Sequence, residues 1–150
     1  MAPGSSPDRT DEAARKKAIE IMHDYFVKLL SDIEQGREPK LVIPKRTLAN
    51  TIFDPEKGIL KLGVMKLERN FLDANEARRF MQTLVMASII YRALLENEYP
   101  TIRDLYYRGK HTISYLDLDG RRREENTWDE QAESDAALRD LEVMLGLLRE

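Results

Sequence analysis

Thr101-Ile-Arg-Asp-Leu-Tyr-Tyr-Arg-Gly-Lys110 holds the residues best suited to chemistry. Arg103 and Tyr107 stand four apart, a spacing that stacks two side chains on one helix face, so the guanidinium can reach the phenol oxygen. The same stripe runs on to His111 one turn later. Ile102, Leu105 and Tyr106 point elsewhere, toward a core. A free phenol ionises near pH ~10 and is a poor nucleophile at neutrality. A neighbouring cation favours the phenolate and can also hold a phosphate. Attack of such a phenol on a phosphodiester leaves a phosphotyrosine link, which preserves the bond energy for rejoining, as hydrolysis does not. Taken alone, the pattern also fits, and more commonly marks, an amphipathic packing element.

The elements that must position this segment follow from periodicity and punctuation. The residue before Pro100 avoids helical angles and Thr101 offers a cap, which predicts a short helix over 102–110. Upstream, Asp73 and Asn75 offer N-cap oxygens for a helix running to about Asn97, with Phe80, Leu84, Ala87, Ile89, Ile90, Tyr91 and Leu94 forming a broad apolar surface. From Asp11 to Gln35, Ala18, Ile21, Met22, Tyr25, Phe26, Leu29, Leu30 and Ile33 fall on one helical face, and Gly36 ends it. Leu41 to Phe53 and Ile59 to Leu67 read as one β-hairpin, joined by Asp54-Pro-Glu-Lys-Gly58. Thr112 to Asn126 is either a loop or a short hairpin. From Trp128 the pattern is helical to the end, and Leu147-Leu-Arg-Glu150 carries no C-cap signal, so a longer protein is expected. Residues 1–10 are polar and proline-bearing, an expected disordered tail. Together these elements predict an α+β, mainly α chain of helix-turn-helix or winged-helix type.

Composition narrows the function classes. The 150 residues are 42% apolar, enough for one respectable core. The charged third nearly cancels, to a net of −3, so any DNA-facing basic surface must be local. With no cysteine, disulfides and thiolate metal sites are excluded. No secretory signal and no run approaching the roughly 18 apolar residues of a membrane span is present, which predicts a soluble, intracellular chain. A Gly-rich phosphate loop is also missing.

Arg103-Asp-Leu-Tyr-Tyr107 with its upstream Tyr99-Pro-Thr101 resembles the catalytic motif of type IIB topoisomerases, the topoisomerase VI A subunits, and of the related meiotic double-strand-break transesterase. Arg46-Thr-Leu-Ala-Asn50, Arg79-Phe-Met-Gln82, Ala87-Ser-Ile-Ile-Tyr91 and Glu125-Asn-Thr-Trp-Asp-Glu130 also resemble the archaeal protein, so the likeness covers roughly Arg46 to Glu150. It implies that Tyr107, second of the pair, is the nucleophile of a 5′-phosphotyrosyl intermediate, with Arg103 positioning or activating it. It implies a winged helix similar to that of catabolite activator protein over 72–150, preceded by an arm (11–71) of helix and β-hairpin that contacts an ATPase B subunit. Family members continue into a Toprim domain whose acids hold Mg²⁺, and this sequence stops before one could begin. The implied whole is an A₂B₂ assembly, with A subunits paired as a homodimer, that passes one DNA duplex through another in the cytoplasm, at the nucleoid. ATP belongs to the B subunit. This piece alone should bind double-stranded DNA weakly and scarcely cut it.

Other residues carry both functional and plain structural readings. Arg108, Lys110 and His111 suit a phosphate-binding patch, or for His111 a cap; the run Arg121-Arg-Arg123 suits either phosphate contact or a solvated face. Asp117-Leu-Asp119 resembles the Toprim Asp-x-Asp only superficially, since it precedes Gly120 in turn-like sequence. His23 lacks partners at ligand spacing and reads as structural. Trp128 is expected as a core anchor or interface residue, and Met22, Phe26, Met81 and Met86 as core. Glu130, Glu133, Asp135 and Asp140 form an acidic, solubilising face on the last helix, turned away from DNA. The competing functions are a non-catalytic winged-helix DNA-binding module and an interaction protein. An exposed Tyr107 hydroxyl beside Arg103, with Tyr106 buried, discriminates catalysis from both.

Overall fold

A computed structural model describes residues 9–44, 51–62, 66–71, 73 and 76–146. These mix helix and strand and are mainly helical: α1 (Arg9–Glu34), β1 (Lys40–Pro44), β2 (Thr51–Asp54), β3 (Ile59–Leu62), β4 (Lys66–Asn70), α2 (Ala77–Leu95), α3 (Ile102–Gly109), β5 (Thr112–Leu116), β6 (Arg122–Asn126) and α4 (Gln131–Leu145). None of the described helices is long and apolar enough to cross a membrane. Arg9 and Thr10, expected in the disordered tail, are helical; residues 1–8 lie outside the described residues.

Local signals end the first two helices in one way. Gly36 adopts φ +74°, and the N–H groups of Arg37 and Gly36 reach back to the carbonyls of Asp32 (2.9 Å) and Ile33 (3.0 Å). Asn97 does the same for α2 at φ +54°, with Glu98 N–H on the Ala93 carbonyl (2.9 Å) and Asn97 N–H on that of Leu94 (3.3 Å). Both are Schellman ends, which satisfy carbonyls that the helix leaves unpaired. The start of α2 differs from expectation. Its N-cap is Glu76, without a side-chain cap. Asp73 contributes its backbone carbonyl to the N–H groups of Glu76 (3.1 Å) and Ala77 (2.8 Å), and Asn75 lies outside the described residues. The Glu76 carboxylate instead accepts from the Asn70 N–H (2.8 Å), tying α2 to β4.

The single hairpin expected over 41–67 is two ladders. In one, β2 pairs antiparallel with β3, Thr51 opposite Leu62; in the other, β1 pairs with β4, Pro44 opposite Lys66. Six residues separate the strands on one side and three on the other, so the register slips by an odd number between the ladders. β1 buries Leu41 and Ile43 while both of its flanking ends stay less covered.

The core gathers Met22 of α1, Met86 and Ala87 of α2, Leu105 of α3, Trp128, and Ala137, Leu138, Leu141 and Leu145 of α4. Leu29, Leu41 and Phe80 form a smaller adjoining cluster. Polar ties add to this packing. Arg15 donates to the Leu94 carbonyl (2.7 Å), bracing the end of α2 from α1, and Asp140 of α4 accepts from both Arg69 and Arg79 (3.2 Å each). Arg78 lies half-buried where β6 meets α4, paired with Glu125 and with Glu133 (3.2 Å).

Two expectations at the C-terminal end are corrected or decided. Thr112 to Asn126 is a hairpin, β5 on β6, closed by Asp117 and by Gly120 at φ +76°. Asp117 accepts from the backbone of Asp119 (3.0 Å) and Arg121 (2.8 Å). The last helix does not run to the end of the sequence: Gly146 turns left-handed at φ +67° and its N–H returns to the Val143 carbonyl (3.2 Å). Residues 147–150 lie outside the described residues.

Candidate active site

The site is built on α3. Thr101 Oγ1 accepts from the Asp104 N–H (3.1 Å) and the Asp104 carboxylate accepts from the Thr101 N–H (3.0 Å), a reciprocal capping box that starts the helix where Pro100 ends the previous run. The Thr101 N–H donated to it, and then the Thr101 hydroxyl beside it, hold the Asp104 carboxyl below its usual range.

The other end of α3 is seated by packing. Gly109 lies against Trp128 so closely that a Cβ there would sit 2.2 Å from the indole Cζ2 and 2.7 Å from Ile89 Cδ1. Trp128 is fully buried, and its Nε1 donates to the Tyr106 carbonyl (2.9 Å). Thr127, also buried, donates its hydroxyl to the Gly109 carbonyl and accepts from the His111 N–H (3.0 Å). The backbone that carries the tyrosines is therefore fixed at three points by Thr127 and Trp128.

On that support Tyr107 is 59% exposed. Arg103 Nη2 donates to its hydroxyl at 3.4 Å, with the guanidinium carbon 5.8 Å from the ring centroid. This hydrogen bond, and then the charge of the same guanidinium, lowers the Tyr107 phenol below the ordinary range for tyrosine; Lys110 adds a smaller pull. Tyr106 is half-buried. Its hydroxyl donates to the Asp129 carbonyl (3.0 Å) and accepts from Lys110 Nζ (2.9 Å), and its ring meets that of Tyr107 edge-on at 5.1 Å.

Several expected neighbours sit differently. His111 does not continue the Arg103–Tyr107 stripe, because α3 ends at Gly109 and Lys110 is extended (ψ 100°). Ile102 is 38% exposed and is not a core residue, unlike Leu105. Arg108 is paired with Glu98 (2.7 Å), and that hydrogen bond holds the Glu98 carboxyl below its usual range. In the arginine run, Arg123 Nε donates to Asp117 (2.8 Å) and Arg122 to Ser114 (3.4 Å), while Arg121 is exposed. His23 stands exposed beside Asp24 (3.3 Å). Of the residues expected in the core, Met22, Met86 and Trp128 are buried, whereas Phe26 and Met81 are half-buried.

The acidic side of α4 is not simply a solubilising face. Glu133 accepts from the N–H groups of Asp129 (2.6 Å) and Glu130 (3.2 Å) and from Arg78; partial burial opposes its ionisation, and these donors outweigh it. Asp140 holds its two arginines against the body of the fold in the same way.

The carboxylates of the described residues do not fit a Mg²⁺ site. Asp117 is engaged by Arg123 and two backbone donors, which hold it ionised, and among the described residues no three potential ligands cluster.

Gly109, Thr127, Arg78 and Glu98 carry no mark in the sequence. Their importance comes from partners 10 to 55 residues away, and no local spacing signals such pairings.

A family model described as type IIB DNA topoisomerase matches residues 78–150. The chain is 66% identical over 143 residues to the A subunit of type 2 DNA topoisomerase 6 from Aeropyrum pernix and 58% identical over 143 residues to that from Hyperthermus butylicus, in each case over 95% of this chain and 37% of the relative. The corresponding protein of Pyrococcus abyssi is 39% identical over 135 residues, which is 90% of this chain and 34% of the relative. The chain thus spans about a third of the length of the curated relatives it matches. By these matches it belongs to the type IIB DNA topoisomerase family.

Proposed function

We propose that this chain supplies the DNA-cleaving tyrosine of a type IIB topoisomerase, with Tyr107 as nucleophile and Arg103 as the cation that activates and positions it. One observation carries this reading: the Tyr107 hydroxyl is exposed with a guanidinium at 3.4 Å, while Tyr106 beside it is tied down at its hydroxyl and its carbonyl. A tyrosine kept for packing would have its hydroxyl tied down as well.

In the cleavage step the Tyr107 oxygen forms a bond to phosphorus and the P–O3′ bond breaks. The phenol proton ends on the departing 3′ oxygen, so one phosphoester replaces another and the step reverses without an energy source. Arg103 stabilises the phenolate before attack and the phosphoryl oxygens during it. Lys110, beside the same phenol, is the second cation for the phosphate. Arg108 and His111 complete the proposed DNA-binding set, Arg108 once Glu98 releases it. The succession of α2, α3 and the β5–β6 hairpin supports a winged-helix reading of 72–150, with 11–71 as an arm toward the B subunit.

Mg²⁺ and ATP belong, in this reading, to other parts of the assembly: Mg²⁺ to a Toprim domain of the A subunit, ATP to the B subunit. The proposed whole pairs two A subunits around double-stranded DNA in the cytoplasm, relaxing supercoils and separating linked duplexes. The test is to assemble a full-length A subunit that carries this sequence with its B subunit, ATP and Mg²⁺, and to assay covalent protein–DNA adducts. Adducts in the native assembly and none with Tyr107→Phe support the reading. Adducts that persist in Tyr107→Phe reject it, and a native assembly that binds DNA without adducts favours a binding module.

A further inference from the structure

Resting on that reading, we infer that Tyr106 is a positioning residue, whose hydroxyl holds Lys110 opposite Arg103 so that two cations bracket the phosphate attacked by Tyr107. Four contacts carry the inference. Asp129 and Trp128 fix Tyr106 at its two ends, the hydroxyl through the Asp129 carbonyl (3.0 Å) and the backbone through indole Nε1 (2.9 Å). Lys110 folds back over the Tyr106 ring, 5.3 Å from its centroid, and donates to the hydroxyl at 2.9 Å. The Tyr106 ring in turn meets Tyr107 edge-on at 5.1 Å.

A lysine on a four-carbon stem is otherwise a freely turning point charge. Here its ammonium is held at one place by a phenol that is itself anchored to buried structure. Arg103 stands four residues before Tyr107 within α3, and Lys110 three after it at the C-terminal cap, so the two cations lie toward opposite ends of the helix. A phosphate bound by both cations is thereby held beside the Tyr107 oxygen that Arg103 contacts. Charge held ready in this way needs no rearrangement as the reaction proceeds. The hydroxyl of Tyr106 thereby contributes without touching DNA.

The test uses the full-length A and B subunits together with ATP, Mg²⁺ and duplex DNA, comparing native, Tyr106→Phe, Lys110→Gln and the double variant. Loss of one hydrogen bond to a charged group predicts that Tyr106→Phe lowers the rate of adduct formation at saturating DNA by about tenfold. DNA affinity should change much less. Because both variants remove one arrangement, the double variant should be no slower than Lys110→Gln alone. A Tyr106→Phe assembly that cleaves at the native rate overturns the inference, and so do multiplicative losses, which make the hydroxyl merely structural. If Tyr106→Phe fails to fold, Lys110→Gln on the exposed side still decides: a native cleavage rate overturns the inference. Tyr107→Phe in parallel separates the two claims, since adducts surviving there reject the proposed function itself.

Discussion

At Tyr107 the decisive quantity is how readily an exposed phenol loses its proton. Arg103 donates to the oxygen and stabilises the charged form, and solvent is close enough that the pair remains open to screening. Tyr107 therefore ionises at lower pH folded than unfolded. The linkage sign follows: the interaction adds stability once pH exceeds the unfolded phenol range, and that stability is lost as pH falls through the folded value. At any given pH the advantage is a larger fraction of phenolate than a free tyrosine would carry. We expect Arg103→Gln to move the Tyr107 titration upward, toward the ordinary value of about 10. The difference in phenolate absorbance between each protein and its Tyr107→Phe counterpart isolates this one tyrosine among the six. Added salt should shrink the gap between the native and Arg103→Gln proteins, and a titration indifferent to Arg103 would refute the activating role.

One element, α3, delivers both tyrosines, and a close approach rather than its own propensity sets its seat. Gly109 has no unusual φ to justify a glycine; it is needed because a methyl group there would enter Trp128 and Ile89. Gly109→Ala should thus cost about 1–3 kcal/mol through forced displacement of α3 or the indole. Urea unfolding followed by fluorescence of Trp128, the single tryptophan, measures it, and a native midpoint would contradict the packing account. Local rules read this element well in part. Pro100 and Thr101 mark its start because pre-proline sterics and capping act over three residues, and the Arg103–Tyr107 contact follows from helical spacing alone. What local rules miss depends on distant partners. His111 leaves the stripe because Thr127 captures its backbone, and Ile102 faces solvent because the buried side of so short a helix is filled by Leu105 and Gly109. The hairpin of 41–67 is legible as two strands and a turn, but an odd register slip between ladders leaves no mark in alternation. The helical pattern from Trp128 runs straight through Gly146, yet a glycine is also the commonest left-handed stop, which is what it forms.

For the whole molecule, 24 basic side chains against 27 acidic ones mean that DNA affinity must come from local placement. Five of the arginines are already committed within the fold: Arg15, Arg69, Arg78, Arg79 and Arg123 all serve its carboxylates or carbonyls. Arg108 differs in that its partner, Glu98, lies exposed in the turn between α2 and α3, so the pair is solvent-screened and exchangeable. A phosphate arriving at α3 competes with Glu98 for this guanidinium. In Glu98→Gln the competition is removed and Arg108 is free to neutralise one more phosphate. Duplex binding should tighten at low salt, and the plot of log affinity against log salt should steepen by about 0.9, the increment for one released counterion on B-DNA. Arg108→Gln should reverse the gain in the Glu98→Gln background. Fluorescence anisotropy of labelled duplex over a salt series tests this. An unchanged slope in Glu98→Gln would place Arg108 off the proposed DNA path.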